Sequence, residues 1–462
     1  MKKSLYQPNR DSIRFHGRSI PVEDMFSHVI ITGRPGSGKS RGCVRPLLRE
    51  LVGLNSHREE MKAGMLCLDG KGGELRGYLE EALQRAGRSQ DLIVVGPKDA
   101  TFNFLGDNSC ADVKIANQLI AAASFLGEEV TGKRTSDPFW DHCQRDVLTA
   151  LVAVGRKTHA LLKNGQPFSL DHLVRLRPIL TESDKAMAKT AADLAVLVGP
   201  DAGASLIEFA ALPTNTRQCV ATSVGAVLAA FGRPPLRDVL NPQPGRPEVS
   251  LIDVVDQGKI VLLDLAGAEN ALELLPAAVM IKTHFARLII SRRTMPINQC
   301  RPVFVLLEEF QKLMTPQADS AACEGNWMDT CRWCGCGVII CTQGISSLLA
   351  IAPSPLVDKI ISLCGTQMWL GSGDPASASY AARSLGRNLI YRTHRAITHS
   401  LPPPLLFPRA AESPQPTESR MLVPDYEPVL SAEKLALLPP GEIHLRLRSG
   451  KVKTVRVNLA AD

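Results

Sequence analysis

Short runs of apolar residues separated by helix-length segments dominate the pattern of this 462-residue chain. Val29–Thr32, Met65–Leu68, Leu92–Val95, Ile260–Leu263, Val303–Leu307 and Val338–Cys341 are predicted as buried strands, with Gln367–Leu370 as a seventh. Most lack the in–out alternation of a one-sided sheet, so both of their faces must be covered. Such strands, alternating with helices, predict an α/β fold with a largely parallel sheet.

The spacing of these runs is uneven. Between Val95 and Ile260 the apolar residues recur instead at helical intervals, in Val113–Phe125, Phe139–Leu162, Asp184–Val198 and Val220–Phe231. We read an all-α domain over 165–235, inserted into an α/β domain whose two parts span 1–164 and 236–462. The stretch 400–428 holds eight prolines and is predicted as an extended surface connection, neither helix nor central strand. Ile443, Leu445 and Leu447 then alternate with polar residues, Ser449-Gly450 forms a turn, and Val452, Val455 and Val457 follow. This is a terminal β-hairpin whose register is open between Val452 and Val455.

Composition narrows the class. Apolar residues at 45% and charged residues at 21% exclude a mainly disordered or fibrous chain. Fifty-three basic residues against 46 acidic leave +7, which fits a locally basic surface rather than a basic coat. Twelve cysteines are too few for a disulfide scaffold, and the expectation is reduced thiols in the cytosol. Apolar stretches such as Leu119–Leu126 and Val147–Gly155 fall short of the roughly 20 residues of a spanning helix. After Met1-Lys2-Lys3, the polar Gln7, Asn9, Arg10, Asp11 and Arg14 occupy the place of a signal's apolar core. Neither a membrane span nor a secretory signal is expected.

The sharpest chemical feature is Gly33-Arg34-Pro35-Gly36-Ser37-Gly38-Lys39-Ser40, directly after the first predicted strand of the sheet. This is the phosphate loop G-x-x-x-x-G-K-[ST] in its strand–loop–helix context. Its glycines let successive backbone N–H groups converge on one anion. Lys39 can reach the β- and γ-phosphates of ATP, and the Ser40 hydroxyl can ligate Mg²⁺.

A hydrophobic strand ending in acids, Val303–Leu307 followed by Glu308-Glu309, has the form of a Walker B motif. The first carboxylate, Glu308, is the candidate for the Mg²⁺ shell, although Asp is usual there. The second, Glu309, is the candidate catalytic carboxylate that orients the attacking water. Gln343, at the tip of the strand Val338–Thr342, can touch γ-phosphate and water together. Arg332, eleven positions earlier, is either a surface arginine or one that reaches a neighbouring subunit's phosphate site.

Basic residues cluster at Arg34, Arg41, Arg45 and Arg49, at Arg292, Arg293 and Arg301, at Arg387, Arg392 and Arg395, and on the terminal hairpin. They are either ordinary solvated surface or contacts to a nucleic-acid backbone, and aromatics at 5% leave little for base stacking. Cys331-x-x-Cys334-x-Cys336 with Cys323 and Cys341 invites a zinc reading, against which buried reduced thiols stand as the simpler one. His28 and His142 lack companion ligands and stay unassigned.

Taken in order, these motifs resemble the ATPase domain of type IV secretion coupling proteins, the TraG/TraD-type conjugative transfer family. Val44 and Pro46-Leu47-Leu48 follow the phosphate loop as in that family, and Met65–Asp69 leads into Gly70-Lys71-Gly72, similar to its D-x-K-G. Val94-Val95-Gly96-Pro97, Asn103-Phe104-Leu105, Pro138-Phe139-Trp140 and Thr366–Gly386 match further segments in family order. Glu308 for Asp, Phe104 for Pro, and Gly73 where the family has Glu are departures. The resemblance implies a RecA-like P-loop NTPase domain interrupted by an all-α domain, with Asp69 and Lys71 at the nucleotide. It also implies a hexameric ring with Arg332 as a trans arginine finger, DNA (single-stranded, with an attached relaxase) as cargo, and type IV secretion channel components as partners. Without the family's N-terminal membrane pair, the expected location is cytoplasmic, peripheral to the inner membrane through partners. A receptor recruiting secreted proteins with weak hydrolysis, and an FtsK/HerA-like duplex DNA translocase, stay open as alternatives.

Overall fold

The computed structural model describes residues 11–106, 110–123, 125, 138–162, 167–265, 271–316, 323–399 and 416–459. A small antiparallel hairpin, β1 (Ser12–Phe15) and β2 (Arg18–Pro21), precedes the main sheet. That sheet contains β3 (Val29–Thr32), β4 (Gly64–Asp69), β5 (Leu92–Val95), β6 (Ile260–Asp264), β7 (Val303–Glu308), β8 (Cys336–Thr342) and β9 (Thr366–Trp369). Two further strands, β10 (Arg387–His399) and β11 (Pro416–Pro428), form a separate ribbon, and β12 (Glu442–Arg446) and β13 (Val452–Arg456) close the list. The order across the sheet is β13-β12-β9-β3-β8-β7-β4-β6-β5. The seven strands from β9 to β5 pair in parallel, and the β12–β13 hairpin adds an antiparallel edge. All seven predicted buried strands are present within a residue or two of their predicted ends.

Burial on both faces has a direct cause. Ile30 contributes to one core, and its neighbours Val29 and Ile31 to the other, because successive side chains of a strand point to opposite faces. One core is closed by the helices Arg45–Gly53 and Glu74–Arg85 together with β1 and β2. The other is closed by helices that include Asp112–Ala123, Pro138–Leu162 and Leu275–Ile290. Each fully buried Leu, Ile or Val stabilises the fold by roughly 1.5–3 kcal/mol relative to exposure, so two such cores hold the sheet rigidly between them.

Between β5 and β6 the described residues form helices and two isolated bridges, with no strand. Pro200–Ala211 is a helix that periodicity missed, packed as a hairpin against Asp184–Val198. At the other end of the chain, the terminal hairpin has the register Ile443↔Val455 and Leu445↔Lys453, which puts Ile443, Leu445 and Val455 on the buried face.

The proline-rich stretch departs from expectation. Residues 400–415 lie outside the described part, but Pro416–Pro428 is a strand rather than an unpaired connection. Proline is tolerated there because the ribbon has only two strands, so every residue lies on an edge. Pro416 and Pro428 also sit at its ends.

His28 links the start of the sheet to its surroundings. Its Nε2 bonds the Met328 carbonyl (2.7 Å), and its Nδ1 accepts the Val338 N–H (3.1 Å), an arrangement of neutral imidazole. Burial lowers its pKa to about 4. The unfolded chain takes up this proton near pH 6.5 and the folded chain does not, so stability falls as pH drops from 6.5 toward 4. Urea unfolding at pH 6.5 and pH 5 is expected to differ by about 2 kcal/mol from this group, and His28→Gln should flatten that difference.

Candidate nucleotide site

Parallel pairing brings the C-terminal tips of β3, β8, β7 and β4 to one edge of the sheet. Thr32 pairs with Thr342, Leu307 with Ile340, and Asp69 with Glu308. The phosphate loop, Gln343, Glu308-Glu309 and the Asp69 turn therefore emerge side by side. In parallel α/β sheets this edge is where ligands bind.

The loop after β3 needs its glycines for two distinct reasons. Gly36 (φ 76°) and Gly38 (φ 98°) adopt the left-handed backbone that side chains disfavour. Gly33 is instead confined by space, since a Cβ there would lie 2.7 Å from the Leu370 Cβ. A π-helical turn, Lys39–Val44, follows and leads into the helix Arg45–Gly53. The Lys39 ammonium bonds the Gly33 (2.5 Å) and Arg34 (3.2 Å) carbonyls of its own loop, and burial lowers its pKa.

Glu308 is almost fully buried (4% exposed), and its Oε1 accepts a bond from the Ser40 hydroxyl at 3.3 Å. Its Oε2 is buried without a partner, as is Oδ2 of Asp69 on the adjoining strand. Burial first, and the Asp69 carboxylate second, push the Glu308 pKa up to about 7. A hydroxyl and an orphaned carboxylate oxygen meeting in one buried corner fit the hard oxygen ligands that Mg²⁺ prefers.

Glu309 has left-handed backbone (φ 54°, ψ 50°), which costs a residue with a side chain about 1–2 kcal/mol. That geometry ends β7 abruptly and starts the short helix Phe310–Leu313. The Glu309 Oε2 accepts two amide donors, Gln343 Nε2 at 2.7 Å and Gln311 Nε2 at 2.5 Å. Gln311 is held in turn by the Thr342 hydroxyl, which donates to its Oε1 at 3.0 Å. Two amides thus fix one oxygen of the carboxylate and leave the other available to accept a proton.

Asp69 organises the turn after β4. Its Oδ1 accepts from the N–H groups of Lys71 (2.9 Å) and Gly72 (2.8 Å). The Gly70 N–H donates to the Glu308 carbonyl (3.1 Å), so the turn is docked on the Walker B strand. Lys71 pairs with Glu74 at 2.8 Å and reaches the pocket. The pocket wall includes Gly36, Gly38, Lys39, Ser40, Lys71, Glu308, Glu309 and Gln343, whereas Gly33, Ser37 and Asp69 stand behind it.

Arg332 lies elsewhere. It precedes the N-terminal end of β8, a strand length or roughly 25 Å from Gln343, with its guanidinium over the Trp333 ring and 3.8 Å from Glu23. It takes no part in the site of its own chain.

Three contributors escaped sequence reasoning. Gln311 has no motif spacing of its own, and its role follows only from the left-handed turn at Glu309. Tyr78, on the helix Glu74–Arg85, lines the pocket beneath the Arg45 guanidinium. Leu459 packs on Gly38 and Gly42 and joins the pocket wall, while the Gly441 N–H bonds the Ser37 carbonyl (3.0 Å). The C-terminal hairpin is thereby built onto the phosphate loop.

The cysteines Cys323, Cys331, Cys334, Cys336 and Cys341 are free and buried, and burial raises the thiol pKa of Cys323, Cys331, Cys334 and Cys341. Among the described residues no three metal-ligating side chains converge, and no helix is long and apolar enough to cross a membrane. Many basic residues are internally engaged. Arg45 and Arg49 pair with Glu81, Arg392 with Asp425 and Arg448 with Glu23, while Arg292 and Arg301 bond backbone carbonyls.

No protein-family model matches the sequence, and no curated protein matches it. Solved structures do. The chain is similar to the bacterial conjugative coupling protein TrwBdeltaN70 in an unbound form, with a TM-score of 0.63 and 16% identity over 99% of this chain and 91% of that one. It is similar to the plasmid coupling protein TrwB in complex with ADP and Mg²⁺ (TM-score 0.62, 16% identity, 99% and 92%). It also resembles VirB4 of Thermoanaerobacter pseudethanolicus (TM-score 0.54, 12% identity, 99% and 98%). The fold is therefore a RecA-like P-loop NTPase fold, as the motifs led us to expect.

The raised Glu308 pKa has a stability consequence. The folded chain holds this proton between about pH 4.5 and 7 and the unfolded chain releases it, so Glu308 costs stability increasingly as pH rises through that window. At pH 8 without divalent cations, Glu308→Gln should be more stable than wild type by about 1–3 kcal/mol, with the gap closing at pH 4. Thermal unfolding with added Mg²⁺ should stabilise wild type and leave the variant unmoved.

Proposed function

We propose that this protein is an ATP-hydrolysing coupling protein, which binds DNA, single-stranded with an attached relaxase, and delivers it to a type IV secretion channel. The observation carrying this reading is the convergence of Lys39, Ser40, Glu308, Glu309 and Gln343 at one edge of a RecA-like sheet. The likeness to conjugative coupling proteins, one in complex with ADP and Mg²⁺, supports the coupling role and the cofactor.

The residues divide the chemistry between them. The loop N–H groups and Lys39 bind the phosphates, and Lys39 exchanges its bonds to loop carbonyls for bonds to phosphate oxygens. Ser40 and Glu308 would hold Mg²⁺, which supplies charge neutralisation at the β- and γ-phosphates. Glu309 accepts the proton of the attacking water, oriented by Gln311 and Gln343. Gln343, touching Glu309, reports γ-phosphate loss to β8. Asp69 and Lys71 shape the adjoining wall. Arg332 can serve only a neighbouring subunit, in a ring of six with sites between subunits. The helical region 165–235 acts as a separate all-α unit, and docking at the cytoplasmic face of the inner membrane is through partners.

The specific observation favouring a receptor with weak hydrolysis is Glu308, longer than the usual Asp and protonated in part near neutrality. One experiment separates the readings. DNA-stimulated ATP turnover of the purified protein is expected to fall at least a hundredfold in Lys39→Ala and in Glu309→Gln, with the latter still binding nucleotide. Turnover unchanged in Lys39→Ala rejects the motor, and negligible wild-type turnover with intact secretion favours the receptor. Gln311→Ala is expected to lower kcat about tenfold with little change in KM, read from the same assay.

A further inference from the structure

The ribbon of β10 and β11 extends over thirteen residue pairs, about 40 Å, from Arg387↔Pro428 to His399↔Pro416. A two-stranded ribbon has no core of its own and is marginal in water unless something packs on it. Its register separates two faces. One carries Leu389, Tyr391, Ile397, Leu422 and Tyr426, each 50–66% exposed, and this is a concentration of apolar surface unlike single exposed hydrophobics elsewhere. The same face holds Pro424 opposite Tyr391, and Arg395 directly opposite Arg420. These two like charges share a single acid, Glu418, at 3.6 and 3.5 Å.

We propose that this face binds its own copy, ribbon stacked on ribbon about a twofold axis through the Thr393↔Leu422 pair. The row order makes the face self-complementary when the second ribbon runs antiparallel. Arg395 then lies over Tyr391 of the second copy, a cation–π contact, and Ile397 lies over Leu389. Glu418 meets the Tyr426 phenol, which can donate to its carboxylate, and the two Leu422 side chains meet at the centre. A parallel stack would instead set four guanidinium groups on one level, which like-charge repulsion disfavours. Nucleic acid is the weaker occupant, because Arg392, Arg395 and Arg420 are already ion-paired within the ribbon.

The five apolar side chains offer on the order of 500 Å² per copy, so the total of about 1,000 Å² is at the low end for a specific interface. The dimer is accordingly weak, and it is isologous, unlike the head-to-tail contacts of a ring. It stands or falls independently of ATP hydrolysis.

Sedimentation velocity of the full chain across a range of concentrations tests it. Association is expected to weaken at least tenfold in Leu422→Arg and in the double variant Arg395→Glu with Arg420→Glu. Met421→Arg, which lies on the opposite face beside His394, should leave it unchanged. Nitroxide labels on Thr393→Cys, in a Cys219→Ser background, should fall within about 20 Å of each other by pulsed electron spin resonance. A chain monomeric at every concentration overturns the proposal. So does a short distance between Thr393 labels that survives Leu422→Arg, or association lost equally in Met421→Arg, and so does a monomer whose ribbon binds oligo(dT) through Tyr391.

Discussion

The site depends on the parallel register of four adjacent strands. Because β3, β8, β7 and β4 run the same way and are paired without slippage, their tips end level, with Asp69 beside Glu308 and Thr32 beside Thr342. A one-residue slip in β7 would turn Glu308 to the opposite face of the sheet and carry Glu309 away from Gln343. The two apolar cores prevent that slip, since every residue of β7 from Val303 to Leu307 has a fixed side to fill. Packing that has no chemistry of its own therefore sets the geometry of the chemistry.

This arrangement has an electrostatic cost that is itself informative. Asp69 and Glu308 are both buried, each with an oxygen lacking a partner. Burial raises the pKa of both acids on these neighbouring strands, and either protonation of Glu308 or a cation held beside it would relieve the repulsion. Glu309 is treated differently: two amides hold one of its oxygens, and its backbone is held in a conformation that few residues adopt. Adjacent carboxylates are thus placed in different states by their surroundings rather than by their identity. The C-terminal hairpin adds a mechanical link, since Gly441 and Leu459 rest on the phosphate loop, and β12 joins the sheet at β9. Movement of the loop around a nucleotide would be transmitted to that edge.

Much of this was legible beforehand, for identifiable reasons. Strands buried on both faces announce themselves as unbroken apolar runs, so seven of the sheet's nine strands and their direction could be read from local pattern. The remaining two appeared as an alternating hairpin. Lys39, Ser40, Glu308, Glu309 and Gln343 could be named because each lies at a set offset from such a strand. Gln311 could not, because its side chain reaches Glu309 only through a left-handed turn that leaves no mark in composition. Arg332 was legible as an arginine before a strand, but its contacts with Trp333 and Glu23 were not. The pairing of Pro416–Pro428 was masked by its prolines, which forbid a central strand and permit an edge.

By itself, the chain's order of residues determined the class of fold, the phosphate loop and the acidic end of β7, because these follow from periodicity and from chemistry carried within a few consecutive residues. Only the tertiary structure decided which oxygens are orphaned, which amides hold Glu309, that Leu459 covers the loop, and that none of the described residues covers one face of the ribbon. Those depend on groups brought together across more than 400 residues, as Leu459 is with Gly38, and no local pattern encodes such distances.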